Sequence, residues 1–248
     1  DLASYNSINN LKGHKSSIVN LKLFHENPNY LASGSDFNES CIKLWDLERG
    51  ECINTFEFSS SEKGFITCIK SLSENFQKSH EKSKNINLIV GSNESKVIRV
   101  WDVRSDKCIR KLDDHTQQVQ HFKIFDNGDL VSISFDNKIK LWDLKSSKCI
   151  QTFNGHNAPI YGIKLVDQNF FVTRSMDNTM RLWDKKKCEC VQIFVGHKDI
   201  VTTFKLYKNN TQLISGSYDQ TMKLWDLKSN ECLRTFKGHS FIKKLDFI

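Results

Sequence analysis

No stretch of the 248-residue chain approaches the roughly 18 consecutive apolar residues that a membrane-spanning helix needs, so a helical membrane protein is excluded on sequence grounds. The chain starts at Asp1, without a Met and without a charged-then-apolar leader. Its natural N-terminus is therefore expected to lie upstream or to have been processed. Helical spacing of apolar residues is absent throughout, and so is a glycine-rich phosphate loop. No motif supplies a metal cluster or a free nucleophile, so catalysis within these residues, a metal and a cofactor are not expected. The composition is that of an ordinary folded domain, 38% hydrophobic and 26% charged, with seventeen Phe, five Trp and five Tyr to bury.

The 36 Lys and Arg against 29 Asp and Glu leave a net charge of +7. Such a balance permits contact with nucleic acid or an anionic surface but does not require it. The basic residues are dispersed at regular places: Lys43, Arg99, Lys140, Arg181 and Lys223 each stand two residues before a Trp. Lys145, Lys148, Lys185, Lys186, Lys187 and Lys228 fall in polar turns. Nucleic acid is accordingly not expected as a partner. Five of the eight cysteines, Cys52, Cys108, Cys149, Cys190 and Cys232, lie seven residues after a Trp, which marks one structural position copied, and a packed free thiol is expected there. Cys41, Cys68 and Cys188 fall outside that register. Cys188 and Cys190 lack the second pair that a zinc site would need. Unpaired thiols point to an intracellular compartment, cytoplasmic or nuclear.

The dipeptide Trp-Asp recurs at Trp45, Trp101, Trp142, Trp183 and Trp225, the last three intervals being 41, 41 and 42 residues. A fixed period of this size announces a repeat architecture. Between Gly196-His197 and Trp225-Asp226 the text reads "VTTFKLY", a polar turn, "QLISGS", a turn at Tyr218-Asp219, and "TMKLWDL". The turn "LKSNE" and the β-prone run "CLRTF" follow, so each unit is expected to be a four-stranded antiparallel sheet with tight turns. The strands show little alternation, as a sheet covered on both faces requires. One such sheet cannot bury itself, and side-by-side packing around an axis gives a β-propeller of four to eight blades.

The pairs "GHKDIVTTFKL" with "LISGSYDQTMKLWD", "GHNAPIYGIKL" with "FVTRSMDNTMRLWD", and "DHTQQVQHFKI" with "LVSISFDNKIKLWD" resemble the WD40 repeat family over nearly the whole chain. The resemblance implies an all-β, WD40-type propeller with five complete blades and partial flanking units, the chain being a fragment of a seven-bladed domain. Residues 1–248 are read as one incomplete domain. Residues 1–12 form an outer strand of a preceding unit, and 13–56, 57–112, 113–153, 154–194 and 195–236 are successive repeats. Residues 237–248 begin a further repeat, and 74–88 form a polar loop insertion that stretches the first interval to 56. The second repeat lacks Gly-His and carries Ser95 where Asp is expected; in the first, His14, Ser33 and Trp45 are joined by Asp36 as fourth member.

The resemblance further implies buried hydrogen-bonded sets: His115, Ser132, Asp136, Trp142; His156, Thr173, Asp177, Trp183; and His197, Ser215, Asp219, Trp225. A hydrolase triad is the competing reading of such Ser, His and Asp sets, but their recurrence in successive units argues for struts. The family also implies a noncatalytic scaffold or adaptor that binds proteins or peptides at its top surface, as a subunit of a multiprotein complex. Top positions would be Val19, Thr67, Gln120, Tyr161, Thr202 and Lys243, with Phe135, Met176 and Tyr218 before the turn acids. Phe135, Tyr161, Met176 and Tyr218 read either as an apolar-aromatic anchor patch or as packing between blades. Arg174 stands where the matching repeat has Gly216, and pairs either with an acidic or phosphorylated ligand or in a local salt bridge. The repeat style resembles substrate receptors of F-box ubiquitin ligases; the alternative is a targeting propeller of a larger enzyme such as an atypical protein kinase.

Overall fold

Two kinds of tight turn, each fixed by a carboxylate, generate the strand order. In the computed structural model, which describes residues 10–24, 28–58, 64–73, 86–92, 96–103 and 105–238, no helix occurs among the described residues. The chain divides into two compact units, Asp1–Asp114 and His115–Ile248. The first holds the sheets β1 (Ile18–Leu23), β2 (Tyr30–Ser35), β3 (Cys41–Asp46), β4 (Glu51–Glu57) and β5 (Ile66–Ser73), β6 (Ile86–Ser92), β7 (Ile98–Asp102), β8 (Lys107–Leu112). The second holds three sheets. They are β9 (Val119–Ile124), β10 (Leu130–Ser134), β11 (Ile139–Asp143), β12 (Lys148–Phe153); β13 (Ile160–Leu165), β14 (Phe170–Ser175), β15 (Met180–Asp184), β16 (Glu189–Phe194); and β17 (Val201–Tyr207), β18 (Gln212–Ser217), β19 (Thr221–Asp226), β20 (Cys232–Lys237). Each sheet is an antiparallel meander in chain order, as the repeat predicts.

The Asp of Trp-Asp shapes the turn from the third strand to the fourth. Asp143 Oδ1 accepts from the Lys145 backbone N–H at 2.9 Å, Asp184 Oδ1 from that of Lys186 at 2.8 Å, and Asp226 Oδ1 from that of Lys228 at 2.8 Å. Four residues after that Asp, Asp106, Ser147, Cys188, Asn230 and Gly50 all have φ between 54° and 69°. This left-handed step closes the hairpin. It also accounts for Cys188, which is a turn residue rather than half of a ligand pair. The fourth strand then slips by one residue opposite each Trp, a β-bulge. Trp45, Trp101, Trp142, Trp183 and Trp225 thereby face Cys52, Cys108, Cys149, Cys190 and Cys232.

Packing follows from which strands are covered. The central β10 is buried along its whole length, and Ile98, Ile139 and Met180 on the third strands are 0% exposed, so both faces of these sheets are dry. In the second unit Phe153 stands edge-on to Trp183 at 5.8 Å and Phe194 to Trp225 at 5.7 Å, each coupling one sheet to the next. In the first unit Ile66 packs against Gly34 of the neighbouring sheet within one cluster with Ile42, Phe56 and Trp101. Complete burial of one such side chain contributes about 1.5–3 kcal/mol. On the fifth sheet the corresponding Phe236 is 43% exposed, whereas Phe56, Phe153 and Phe194 are at most 2%.

Two readings need correction. Residues 86–88, assigned to the polar insertion, belong to strand β6, and 74–85 lie outside the described residues. Residues 1–9, Ser95 and 239–248 lie outside them as well. The copied cysteines are not uniformly packed: Cys52, Cys108 and Cys232 are exposed, and Cys149 and Cys190 are half-buried. The cause is their place on the outermost strand beyond the bulge, where each Sγ faces the carbonyl two residues on, at 3.3–3.5 Å. Cys41 and Cys68 are the buried thiols, and burial pushes the Cys41 thiol up to about 11. Native labelling with a maleimide at pH 7 is therefore expected to modify Cys52, Cys108 and Cys232 first, while Cys41 and Cys68 react only after denaturation, as peptide mass mapping would show. Early modification of Cys41 would contradict the packing.

Candidate functional site

A buried indole cannot leave its N–H unpaired, and the second unit satisfies three of them identically. Trp142 Nε1–H donates to Ser132 Oγ at 2.8 Å, and Ser132 donates in turn to His115 Nε2 at 2.7 Å. His115 Nδ1–H then donates to Asp136 Oδ2 at 2.8 Å, which also accepts the backbone N–H of Thr116 at 2.9 Å. Trp183, Thr173, His156 and Asp177 repeat this chain at 2.8, 2.8 and 2.7 Å. Trp225, Ser215, His197 and Asp219 repeat it again at 2.8, 2.7 and 2.8 Å. The proton placement is the one that gives every group a partner. The hydroxyls of Ser132, Thr173 and Ser215 are 0% exposed and engaged on both sides, which leaves no room for a substrate. Glycine precedes two of these histidines because a Cβ at Gly155 or Gly196 would lie 3.0 or 3.1 Å from the Trp ring.

In the first sheet the structure corrects the sequence. Trp45 donates to Ser33 at 2.7 Å and Ser33 reaches His14 Nε2 at 2.6 Å, but His14 Nδ1 donates to Glu39 Oε2 at 2.7 Å, not to Asp36. Asp36 instead sits at the strand end, its N–H donating to the Ser17 carbonyl at 2.9 Å. Two extra residues in the turn move the acid, and the longer Glu side chain spans the gap. Counting back six residues from the Trp would have found it, since Asp136, Asp177, Asp219 and Glu39 all stand there. Thr179 and Thr221, which donate to Asp177 and Asp219 at 2.7 and 2.6 Å, were also missed.

The electrostatics follow from burial. Burial by itself would raise the Asp177 and Asp219 carboxyls, yet hydrogen bonds from Thr179, Thr221, His156 and His197 outweigh it and hold both well below the usual carboxylate range. His156 and His197 are lowered, because burial of a charged imidazole outweighs the attraction of Asp177 and Asp219.

The predicted top positions come together at one end of each sheet for a reason that residue types do not announce. Val19, Thr67, Gln120, Tyr161 and Thr202 each occupy a β-bulge, where pairing of the first two strands slips by one residue. In the second unit Phe135, Met176 and Tyr218 follow the second strand, and their N–H groups donate to the carbonyls of Gln118, Pro159 and Ile200 at 3.0–3.1 Å. Phe135 and Tyr161 are half-buried and meet edge to face at 5.1 Å, bridging adjacent sheets. Met176 is 40% and Tyr218 45% exposed. The four therefore divide between the two readings: a packed aromatic pair, and two outward side chains beside it. Gln120 is half-buried, Thr202 donates internally to the Gly216 carbonyl at 3.0 Å, and Lys243 lies outside the described residues.

Arg174 forms no local salt bridge among the described residues. Its NH1 donates to the Val201 carbonyl at 2.9 Å, on the next sheet. The side chain lies over Gly162, where a Cβ would come within 2.6 Å of Nε. Burial depresses the guanidinium to about 10 in spite of Tyr161 and Tyr218 nearby.

A sequence profile described as "WD domain, G-beta repeat" matches residues 5–46, 106–143, 147–184 and 188–226. Similar proteins include Protein SPA1-RELATED 3 of Arabidopsis thaliana, 28% identical over 138 residues, covering 55% of this chain and 14% of that protein. Mitochondrial division protein 1 of Vanderwaltozyma polyspora is 31% identical over 137 residues, covering 52% of this chain and 18% of the relative. Nuclear distribution protein nudF 1 of Talaromyces marneffei is 26% identical over 141 residues, covering 44% and 30%. The chain thus spans less than a third of the length of each of these relatives.

Two outcomes are expected. Glu39→Ala should destabilise the protein by about 1–3 kcal/mol, the cost of an unpaired buried partner, whereas Asp36→Ala should change stability by less than about 0.5 kcal/mol; urea unfolding measures both, and the reverse ranking would reinstate Asp36. The second concerns acid. Unfolded histidine takes up a proton below about pH 6.5 while native His156 and His197 resist it, so stability should fall as pH drops through that region. It should fall again below about pH 4, where unfolded Asp is protonated but native Asp177 and Asp219 stay ionised. Melting temperatures that rise from pH 7 to pH 5 would contradict this sign.

Proposed function

The chain belongs to the WD40 family, and on that premise we propose that it is a protein-interaction scaffold whose second unit docks a peptide segment of a partner across Phe135, Tyr161, Arg174, Met176 and Tyr218. WD40 domains generally mediate protein–protein interaction and are typically noncatalytic. The observation that carries the choice of surface is the contrast within that unit. The His, Ser, Asp and Trp sets are sealed, whereas Met176 and Tyr218 are 40% and 45% exposed beside a preformed aromatic pair. A surface already rigid in its aromatic members loses little freedom on binding, and anchors of this kind carry most of the energy of an interface.

The finer roles expected from the sequence, substrate recognition for a ubiquitin ligase or targeting of a larger enzyme, differ in what flanks the repeats. The same docking surface serves either. Membership of a multiprotein complex accords with such a scaffold, and an intracellular setting accords with eight cysteines of which none forms a disulfide. No helix among the described residues is long and apolar enough to cross a membrane.

Selection of a phage-displayed peptide library on the immobilised protein tests the surface. Enriched peptides are expected to bind Met176→Ala/Tyr218→Ala about tenfold or more weakly, in line with the loss of two exposed anchors, at an unchanged melting temperature. Enriched peptides that bind wild type and double variant equally would move the docking surface elsewhere.

A further inference from the structure

Arg174 and Arg181 of the second unit have no carboxylate partner among the described residues, and Arg174 is the one that lies among Tyr161 and Tyr218. A guanidinium has five N–H donors and no acceptor, and its removal from water is costly unless they are matched. One of them is used, NH1 toward the Val201 carbonyl at 2.9 Å. No carboxylate among the described residues pairs with it, whereas Lys185 pairs with Asp129 at 3.0 Å and Lys140 donates to Thr152 at 3.1 Å. The residue is nevertheless held firmly. Gly162 supplies the floor on which the side chain lies, and the backbone of the next sheet fixes one edge of the guanidinium.

The surroundings complete a small site. Tyr161 and Tyr218 stand close enough for their phenols to act electrostatically on the guanidinium, and Phe135 closes against Tyr161 at 5.1 Å. Met176, one residue beyond the end of the strand that carries Arg174, is exposed. A cation held in a partly dry, aromatic-walled place without a counter-ion is matched by an anion that brings its own apolar stem. With one edge tied to Val201, the rest of the guanidinium fits a single planar carboxylate in fork geometry. A phosphate dianion would ask for a second positive charge, and the groups among the described residues that act electrostatically on Arg174 are Tyr161 and Tyr218, neither of them a cation.

We infer that Arg174, framed by Tyr161 and Tyr218 and seated on Gly162, is an anion subsite that takes the side-chain carboxylate of an Asp or Glu in a bound peptide. This rests on the docking reading above for its peptide, but the subsite can be tested apart from it. Arginine side-chain NMR of the labelled protein, titrated with N-acetylglutamate amide, should move the Arg174 Nε–Hε signal along a saturating curve. N-acetylglutamine amide should leave it in place. Gly162→Ala, which retains the arginine but crowds it, should abolish the response while the other arginine signals stay put.

In the peptides enriched on phage, replacing the acidic residue by its amide is expected to weaken binding to wild type about tenfold, the scale of a charged hydrogen bond. The same replacement should have no effect on binding to Arg174→Gln. An Arg174 signal indifferent to every probe overturns the subsite and leaves peptide docking standing. N-acetylphosphoserine amide binding tenfold more tightly than the glutamate probe overturns the assignment to a carboxylate. Failure of the phage selection together with a saturating glutamate response would overturn the docking reading and reduce the inference to an anion site for free carboxylates.

Discussion

The indole N–H of the repeated tryptophan is the group that the rest of the structure has to accommodate. Trp45, Trp142, Trp183 and Trp225 are at most 2% exposed, so each supplies a large buried apolar surface and, with it, a donor that costs about 1–3 kcal/mol if left unmatched. A hydroxyl on the neighbouring strand takes that donor. The hydroxyl's own proton then needs an acceptor, which is the imidazole, and the imidazole's other nitrogen needs a carboxylate. Each demand fixes a different stretch of chain: the second strand, the loop before the first strand, and the turn between the second and third. The Asp that follows the tryptophan fixes the last turn through a backbone N–H. One tryptophan thus determines the hairpins of its own sheet, and its ring meets Phe153 or Phe194 of the preceding sheet in the second unit.

What could be read from the sequence was whatever depends on residue identity at a fixed offset. The four-membered sets of the second unit were legible through the resemblance, which carries over because each member is a distinct polar type at a nearly constant distance from Trp. Where offset and identity part, reading fails. Asp36 has the right identity and Glu39 the right offset; the structure uses offset, because a strand register cannot shift by three residues without turning its core face outward. The cysteines show the converse. Their offset correctly predicted one position, but their softness suggested packing, and only the bulge on an outermost strand explains why three of them meet solvent.

The bulges on the first strand were not legible for a further reason. Val19, Thr67, Gln120, Tyr161 and Thr202 share neither size nor polarity, since a bulge is a property of backbone pairing that any of these side chains tolerates. Their common place was reached through resemblance rather than through the residues. The structure supplies the cause: the slip sets one residue of each first strand outside the pairing register, near the end of the sheet where the second strand also stops. A constant backbone with side chains of different size and polarity at the same position is what the docking surface proposed above draws on.

Arg174 shows how such freedom can be used without loss of fold. In the first, second and fifth sheets the equivalent residue of the second strand is Gly34, Gly91 or Gly216, paired with Asn20, Cys68 or Thr203. In the fourth sheet the small and large partners are exchanged: Arg174 pairs with Gly162. The exchange keeps the side-chain volume between the two strands small while it converts a neutral position into a held guanidinium. Nothing in the hydrogen-bonded set of that sheet needs it, for His156, Thr173, Asp177 and Trp183 close at 2.7–2.8 Å without contact to the arginine. A side chain that demands a compensating glycine, lies partly dry without a counter-ion and serves no strut of its own repeat is accounted for by what it offers to a ligand.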